Sequence, residues 1–413
     1  MPDVIVSGPE RGEGRRRPRP WLIVLVIAAA LAGAVRLWGG VSPPEPPAPT
    51  ALPLPTPVTA TPMPAPTPTG RPAADRLAGR PGSWPPGLRV LIPGEFGDTG
   101  RDAGPAVVAG AGQVRTVPGF GSSGPDRWVT IQRLPTGTAF IVQDGKHPTT
   151  PAMVRPDHGP AVRLGAGLDT VVAAQGGGFI AADSGWTHLP GRLASYTPTG
   201  HLRWERRLER GTLVQRDTPY GLLAQVVADP QSSSTGELVL LDARSGQVLR
   251  RIGAAGPILA STDEKVAWIP AGCDASPGHC QLAVTDLRTG QQRRYGVPSG
   301  WAPATAAFSP NGSMLALGFA GQHDFVARGD PDGYVSVLSL VTDQFERMPG
   351  LTMRAKQAPA LGWDAGGELI LGVDVDDRYD LLLRWRPGLP GPIVLPGKLP
   401  RYTAVIYLAV LPG

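Results

Sequence analysis

One short pattern recurs along this chain at intervals close to 45 residues, and it limits the possible folds more than any other feature. Laid over one another, LLDARSGQVLRR (240–251) and VTDLRTGQQRRY (284–295) place Asp242 on Asp286 and Gly246 on Gly290. SYTPTGHLRWER (195–206) puts Tyr196 and Gly200 in the same two slots, VRPDHGPAVRL (154–164) puts Arg155 and Gly159 there, and VVAGAGQVRTV (107–117) puts Val108 and Gly112 there. Further on, the first slot falls on Leu340 in SLVTDQFERM and on Trp385 in RWRPGLPGPIVL. The seven occurrences lie 41 to 54 residues apart. Between them, short runs of Val, Leu, Ile and Thr alternate with Gly, Pro and Asp, which is the pattern of successive antiparallel strands.

A repeat of this length with about four short strands per unit predicts an all-β, seven-bladed β-propeller spanning 86–413, with six or eight blades as the alternatives. The last complete unit shows the order: APALGW, then ELILGV after a DAGG turn, then DLLLRW, then PIVLPG. We name these strands a to d. The repeated slot is the c–d turn, where Gly supplies a positive φ and Asp bonds backbone two residues on. The first unit offers only three strands, at 88–92, 105–109 and 113–118, whereas YTAVIYLAVLP (402–412) is a strand-like run with no unit of its own. If that run completes the first unit, the two ends of the chain lock the ring and remove an exposed edge.

Ahead of the repeats lie a basic tail, RRRPRP within residues 1–20, and an apolar run, WLIVLVIAAALAGAV, that with RLW spans 21–38. Basic residues on the N-terminal side predict a single transmembrane signal-anchor helix with the tail in the cytoplasm and the bulk of the chain outside. Arg36 can snorkel and Trp38 suits the interface, which extends a short span. The alternative is a signal peptide cleaved near Ala34, with AGA (32–34) as the small-residue site and a secreted product. Residues 39–85 are proline-rich and predict a disordered stalk, since Pro lacks the N–H and fixes φ. At about 3.1 Å per residue, thirty such residues reach up to roughly 90 Å.

The chain carries a net charge of +5, and about +2 of it (five Arg against three acids) lies in the first 20 residues. No basic stripe marks a nucleic-acid face, so nucleic acid is not an expected partner. A single Asn, at 311, and plentiful Arg, Ala and Gly suggest a high-GC bacterial genome, so Arg abundance carries no functional argument. AFSPNGSMLALGF (307–319) resembles the F-S-P-D-G-x-x-L-A-F signature of TolB-type, WD40-like propeller repeats. Phe308, Ser309, Pro310, Gly312, Leu315 and Ala316 match, with Asn311 in the Asp position; LGWDAGGELILGV matches more loosely through Trp363, Asp364, Gly367 and Leu369. The resemblance implies an exported propeller that binds other proteins, and it carries over no catalytic residue.

Cys273 and Cys280 bracket DASPGH, and in an exported protein they predict a disulfide pinning a b–c loop. A metal site on them with His279 lacks a fourth ligand in sequence. Asp374, Asp376, Asp377 and Asp380 in DVDDRYD form the one candidate metal cluster, for Ca²⁺, against the plainer reading of a solvated acidic loop. No cofactor is expected. The six histidines form no H-x-H or H-E-x-x-H pair, and neither G-x-S-x-G nor a phosphate loop occurs. ADSGWTH (182–188) is a partial sialidase-type Asp-box at Asp183, Gly185 and Thr187, a structural turn in any case. Two functions fit: a membrane-anchored extracytoplasmic scaffold for another protein or an envelope ligand, or an exported propeller enzyme acting on a sugar, lactone or similar small molecule at the central pore. Asp, His or Arg clustered at one pore mouth would favour the second, and an apolar or plugged pore would exclude it.

Overall fold

The computed structural model describes residues 61–62, 76–77, 79–92, 106–110, 112–117, 127–144, 151–184, 191–227, 236–273, 280–297, 301–321, 333–353, 359–375, 379–397 and 408–411. The basic tail and the apolar run at 21–38 lie outside the described residues. Among the described residues every regular element is a strand, and no helix is long and apolar enough to cross a membrane.

Three two-residue strands come first: β1 (Thr61–Pro62), β2 (Arg76–Leu77) and β3 (Arg80–Pro81). The first repeat unit follows as β4 (Arg89–Ile92), β5 (Ala106–Ala109) and β6 (Gln113–Thr116). The second is β7 (Arg127–Leu134), β8 (Gly137–Asp144), β9 (Pro151–Pro156) and β10 (Val162–Ala166). The third is β11 (Thr170–Ala173), β12 (Phe179–Asp183), β13 (Gly191–Tyr196) and β14 (Leu202–Leu208). Units four and five run through β15 (Thr212–Thr218), β16 (Gly221–Val227), β17 (Gly236–Leu241), β18 (Val248–Ser261), β19 (Lys265–Pro270), β20 (Gln281–Asp286) and β21 (Gln292–Gly296). The sixth is β22 (Trp301–Phe308), β23 (Met314–Gly321), β24 (Tyr334–Ser339) and β25 (Gln344–Arg347), with β26 (Leu351–Thr352) after it. The last is β27 (Ala360–Trp363), β28 (Leu369–Val375), β29 (Tyr379–Trp385) and β30 (Ile393–Val394); β31 (Ala409–Leu411) ends the chain.

Each unit is an antiparallel meander in sequence order. Because β18 continues from strand d of unit four into strand a of unit five, the seven strands of those two units form one sheet, and β1 on its edge makes it eight-stranded. The first strands of the units lie side by side, β7 by β11, β11 by β15, β18 by β22 and β22 by β27. β31 lies between β27 and β7, so the series returns on itself. β31 pairs antiparallel with β4, Ala409 opposite Leu91 and Leu411 opposite Arg89, so the C-terminus supplies the strand that the first unit lacks. Residues 402–407 and 412, the remainder of the predicted closing run, lie outside the described residues.

The core sits between neighbouring sheets, because each b and c strand is apolar on both faces. Leu222, Leu223, Ala224, Leu238, Val239 and Leu240 are all fully or almost fully buried, and they feed two separate clusters on the two faces of one sheet. Removing about 25 cal/mol per Å² of apolar surface from water on both faces gives these strands near-continuous hydrophobic runs instead of alternation.

The recurring turn does what its residues demand. Gly112, Gly159, Gly200, Gly246 and Gly290 all have φ between 73° and 102°. Asp242 Oδ1 accepts from the Arg244 and Ser245 amides, and Asp286 Oδ1 accepts from the Thr289 amide. These turns also join the units, since an outer-strand side chain of one unit reaches the c–d turn of the next. Arg206 donates to the Arg244 carbonyl (3.3 Å), Arg250 to that of Leu287 (2.8 Å) and Arg293 to that of Leu340 (3.1 Å). At the following junction the polarity reverses, and Glu346 accepts from the Gly388 amide at 2.6 Å.

Candidate functional site

The inner strands leave a cavity of about 880 Å³ at one end of the channel they surround. Its wall comes from the ends of β7, β11 and β15 and from the a–b turns around Asp263 and Pro310. Polar side chains stitch the inner strands together there. Gln132 Oε1 accepts from the Val171 amide at 2.7 Å, joining β7 to β11. The Gln175 amide donates to Asp217 Oδ2 at 2.9 Å while its side-chain Nε2 donates to the Asp217 carbonyl at 3.0 Å, joining the end of β11 to β15. Arg216 donates to Asp263 Oδ1 at 3.0 Å and to Ser261 Oγ at 3.4 Å, joining β15 to β18 and its turn.

Two carboxylates at this mouth respond to it in opposite ways. Burial pushes the Asp217 carboxyl above its ordinary range, the Gln175 amide opposes that, and the nearby Asp263 charge adds to the rise. Arg133, which also lines the cavity, grips Asp157 with both guanidinium nitrogens at 3.0 and 2.8 Å. That bond to Arg133 holds the Asp157 carboxyl below its ordinary range against the effect of burial. The charges are thus mostly paired within the wall, which suits the cavity to hydrogen-bonding ligands.

Gln215 is the exception, being exposed in the middle of an inner strand. The register of β15 on β16 passes from Val214–Ala224 to Arg216–Leu223, so Gln215 is a bulged residue with no cross-strand partner, facing the cavity. The same shift occurs between Ile258 and Ala260 and between Pro303 and Thr305. The bulged residues are therefore 215, 259 and 304, with intervals 259 − 215 = 44 and 304 − 259 = 45, so the bulge recurs in units four, five and six, while the a strands of units two, three and seven pair without a shift. In the other two units it carries Leu259 and Ala304; only unit four places an amide there.

Of the residues picked out in sequence, Asp242 and Asp286 are turn formers that do not line this cavity. The SPNG segment is an a–b turn: Asn311 Oδ1 accepts from the Ser313 amide at 3.1 Å, Gly312 has φ 63°, and Pro310 lines the cavity. Cys280 is buried and Cys273 half-buried against the same apolar cluster, and both are thiols in this structure, the Cys280 thiol donating to the Cys273 carbonyl at 3.0 Å. Asp374 and Asp380 lie opposite one another on β28 and β29, whereas Asp376, Asp377 and His279 lie outside the described residues. Among the described residues no group of three acidic, His or Cys side chains is placed to hold a metal. Asp183 ends β12, and the adjoining Ser184 is fully buried with its amide donating to Asp169 Oδ2 at 2.8 Å; residues 185–188 lie outside the described residues. No sequence motif pointed to Gln132, Gln175, Gln215, Arg216, Asp217 or Asp263, because they come together only across four units.

No family model matches the chain, and no curated protein does. Solved structures do. The β-propeller domain of the Trilobed protease from Pyrococcus furiosus, described as having an open velcro topology, matches at 9% identity with a TM-score of 0.51, over 80% of this chain and 100% of that one. Apo prolyl oligopeptidase B from Galerina marginata matches at 10% identity and a TM-score of 0.50, over 78% of this chain and 52% of that one, so this chain spans about half its length. TolB from Acinetobacter baumannii matches at 11% identity and a TM-score of 0.38, over 78% and 69%, which is too distant to add to the argument. At these identities the likeness shows the fold alone: the chain is a β-propeller.

Proposed function

We propose that this chain is a seven-bladed propeller held outside the cytoplasmic membrane by residues 21–38, and that it acts as a binding scaffold with the channel mouth as its recognition site. The cavity at the mouth carries the reading. It has about 880 Å³ of room, its charged groups are neutralised within the wall, and a bulge turns the Gln215 amide toward whatever enters. Export supports closing Cys273 and Cys280 into a disulfide, and it fits the basic tail ahead of the apolar run.

The test is capture of the tagged full-length protein from its own membranes, beside a Gln215→Trp variant that fills the mouth. A stoichiometric partner or ligand held by the wild type and lost from the variant supports the reading. Equal retention by the variant moves the site elsewhere, and no retained molecule in either sinks the scaffold. One observation favours the enzymatic reading, a sugar, lactone or similar small molecule turned over at the pore: Arg133, Arg216, Asp217 and Asp263 do cluster at one mouth, and burial raises the Asp217 carboxyl above its ordinary range. Turnover that Asp217→Asn abolishes without loss of binding would establish it.

A further inference from the structure

The proline-rich segment does more than precede the ring. β1 lies parallel to β21, with Thr61 opposite Tyr295. β2 lies antiparallel to β26, with Arg76 opposite Thr352. β3 lies parallel to β30, with Arg80 opposite Ile393. These partners are the outer strands of units five and seven and the strand that follows unit six, and the segment meets them in the order in which the later chain makes them. It then enters β4, the b strand of unit one.

The last contact is the best defined. The Arg80 amide donates to the Pro392 carbonyl at 3.1 Å, and the Gly82 amide donates to the Val394 carbonyl at 3.0 Å. Alternate amides of an edge strand face the sheet, so Pro81 occupies the outward slot, where its missing N–H costs no bond. The new edge also lacks a donor there, which blocks the addition of another strand. A Cβ on Gly82 would collide with Ile393 Cγ2 unless the isoleucine side chain turned away from the sheet edge. Just beyond, Trp84 donates its indole N–H to the Leu88 carbonyl at 2.7 Å and packs on the cluster holding Val90 of unit one, Leu382 and Leu395 of unit seven, and Leu408 before the closing strand.

We propose that residues 80–88 form an outer clasp across the junction between the last and first units, working together with the inner clasp made by β31. The two cross the same junction in opposite senses. β31 carries the end of the chain from unit seven into the inner position of unit one, and β3 fastens the lead-in of unit one onto the outer edge of unit seven. The inner clasp is short, with three register pairs, Ala409–Leu91, Val410–Val90 and Leu411–Arg89. Because Trp84, Leu395 and Leu408 share one cluster, loosening the outer clasp loosens the inner one.

Hydrogen exchange on the full-length chain tests this, comparing wild type, Gly82→Ala, Gly82→Ala/Ile393→Ala and, as a control, Gly110→Ala, whose added Cβ would meet nothing within 4 Å. The expected result is faster exchange in Gly82→Ala, by about tenfold or more, at 80–82 and at 409–411, with 193–196 in unit three unchanged. Removing Ile393 Cγ2 in the double variant should recover most of the protection, and Gly110→Ala should match wild type. Two results overturn the proposal: unchanged exchange at 409–411 while 80–82 opens, which would make the segment a passenger on the edge, or unchanged exchange at both. Should Gly82→Ala lose protection in unit three as well, Trp84→Ala supplies the second readout, with the same outcomes at 409–411.

Discussion

Asp343 is the one non-glycine residue with a positive φ, 56°, among the described residues, and it sits in a c–d turn where other units use glycine. Asp343→Gly would relieve the left-handed backbone by about 1 kcal/mol, a change that usually stabilises. Here we expect the opposite. Asp343 Oδ1 accepts from the Tyr295 hydroxyl at 2.8 Å and from Arg293 Nη1 at 2.9 Å, both on the outer strand of the preceding unit. Tyr295 is 2% exposed, and burial together with the Asp343 carboxylate pushes its phenol far up, so the hydroxyl needs an acceptor at any working pH. Leaving it orphaned costs about 1–3 kcal/mol. The ion pair adds little, about 0.5 kcal/mol, because Arg293 and Asp343 are 43% and 36% exposed and solvent screens them. The net is a destabilisation of about 0.5–2.5 kcal/mol, or about 1–4 °C in melting temperature for a ring of this size. Asp343→Asn keeps an acceptor oxygen and tolerates the left-handed backbone, so it should cost about 0.5 kcal/mol or less. Thermal and urea melts of the full-length protein measure both. The double variant Asp343→Gly/Tyr295→Phe should recover part of the loss, since it removes the orphaned hydroxyl. If Asp343→Gly melts at or above the wild type, or if Tyr295→Phe costs as much with Asp343 absent as with it present, the turn is not holding the two units together through Tyr295.

Asp217 and Asp169 both sit above their ordinary value of 3.8 because they are buried, so the folded state binds these protons more tightly than the unfolded chain. Their contribution to stability therefore falls as pH rises through the window above 3.8, and Asp217→Asn should flatten that fall in melts taken across pH. Asp157, held low by Arg133, works the other way: its contribution is present above 3.8 and lost as pH drops through its lowered value, so Asp157→Asn should make the wild type's acid-side loss smaller. Gly112→Ala should destabilise by roughly 2 kcal/mol or more, since φ is 74° and the new Cβ would stand 2.4 Å from the Pro396 carbonyl oxygen and 2.6 Å from Gly397 Cα at the closing junction. In protein recovered from the exported compartment, Cys273 and Cys280 should resist alkylation until reduced, and reduction should cost about 2 kcal/mol; labelling of both before reduction would remove the disulfide.

Much of the fold was legible because a ring of like units repeats its turn chemistry. The c–d glycines were readable since a positive φ excludes most other residues, and the b and c strands were readable as unbroken apolar runs. Two features were hidden for physical reasons. VLRRIGAAGPILAS reads as two strands parted by Gly-Pro, yet β18 runs through it without a break, because Pro257 falls at a register shift between Ala255 and Ile258 where no ladder bond is required. The prolines of 39–85 argue against a central strand, but an edge strand needs only every second amide, and Arg80 and Gly82 supply those on either side of Pro81. In the sixth unit the left-handed residue is Asp343, so the overlay that puts Leu340 in the first slot had no glycine to fix its register.

The channel mouth was the least legible part, and the reason bears on where function sits. Arg206, Arg250 and Arg293 are each engaged by a carbonyl of the next unit. Arg216, Asp217 and Asp263 look like scattered charges, yet they are bonded into the channel wall. A residue committed to holding neighbouring units together is constrained by the ring and has little freedom to be fitted to a ligand. Gln215 escapes that constraint, because the bulge leaves it without a cross-strand partner, and the matching bulges carry Leu259 and Ala304 with no loss of the fold. What the repeat leaves free to vary is what recognition can use, and for this propeller that argument puts the first specificity-determining substitution at position 215, not in the turn that makes the repeat visible.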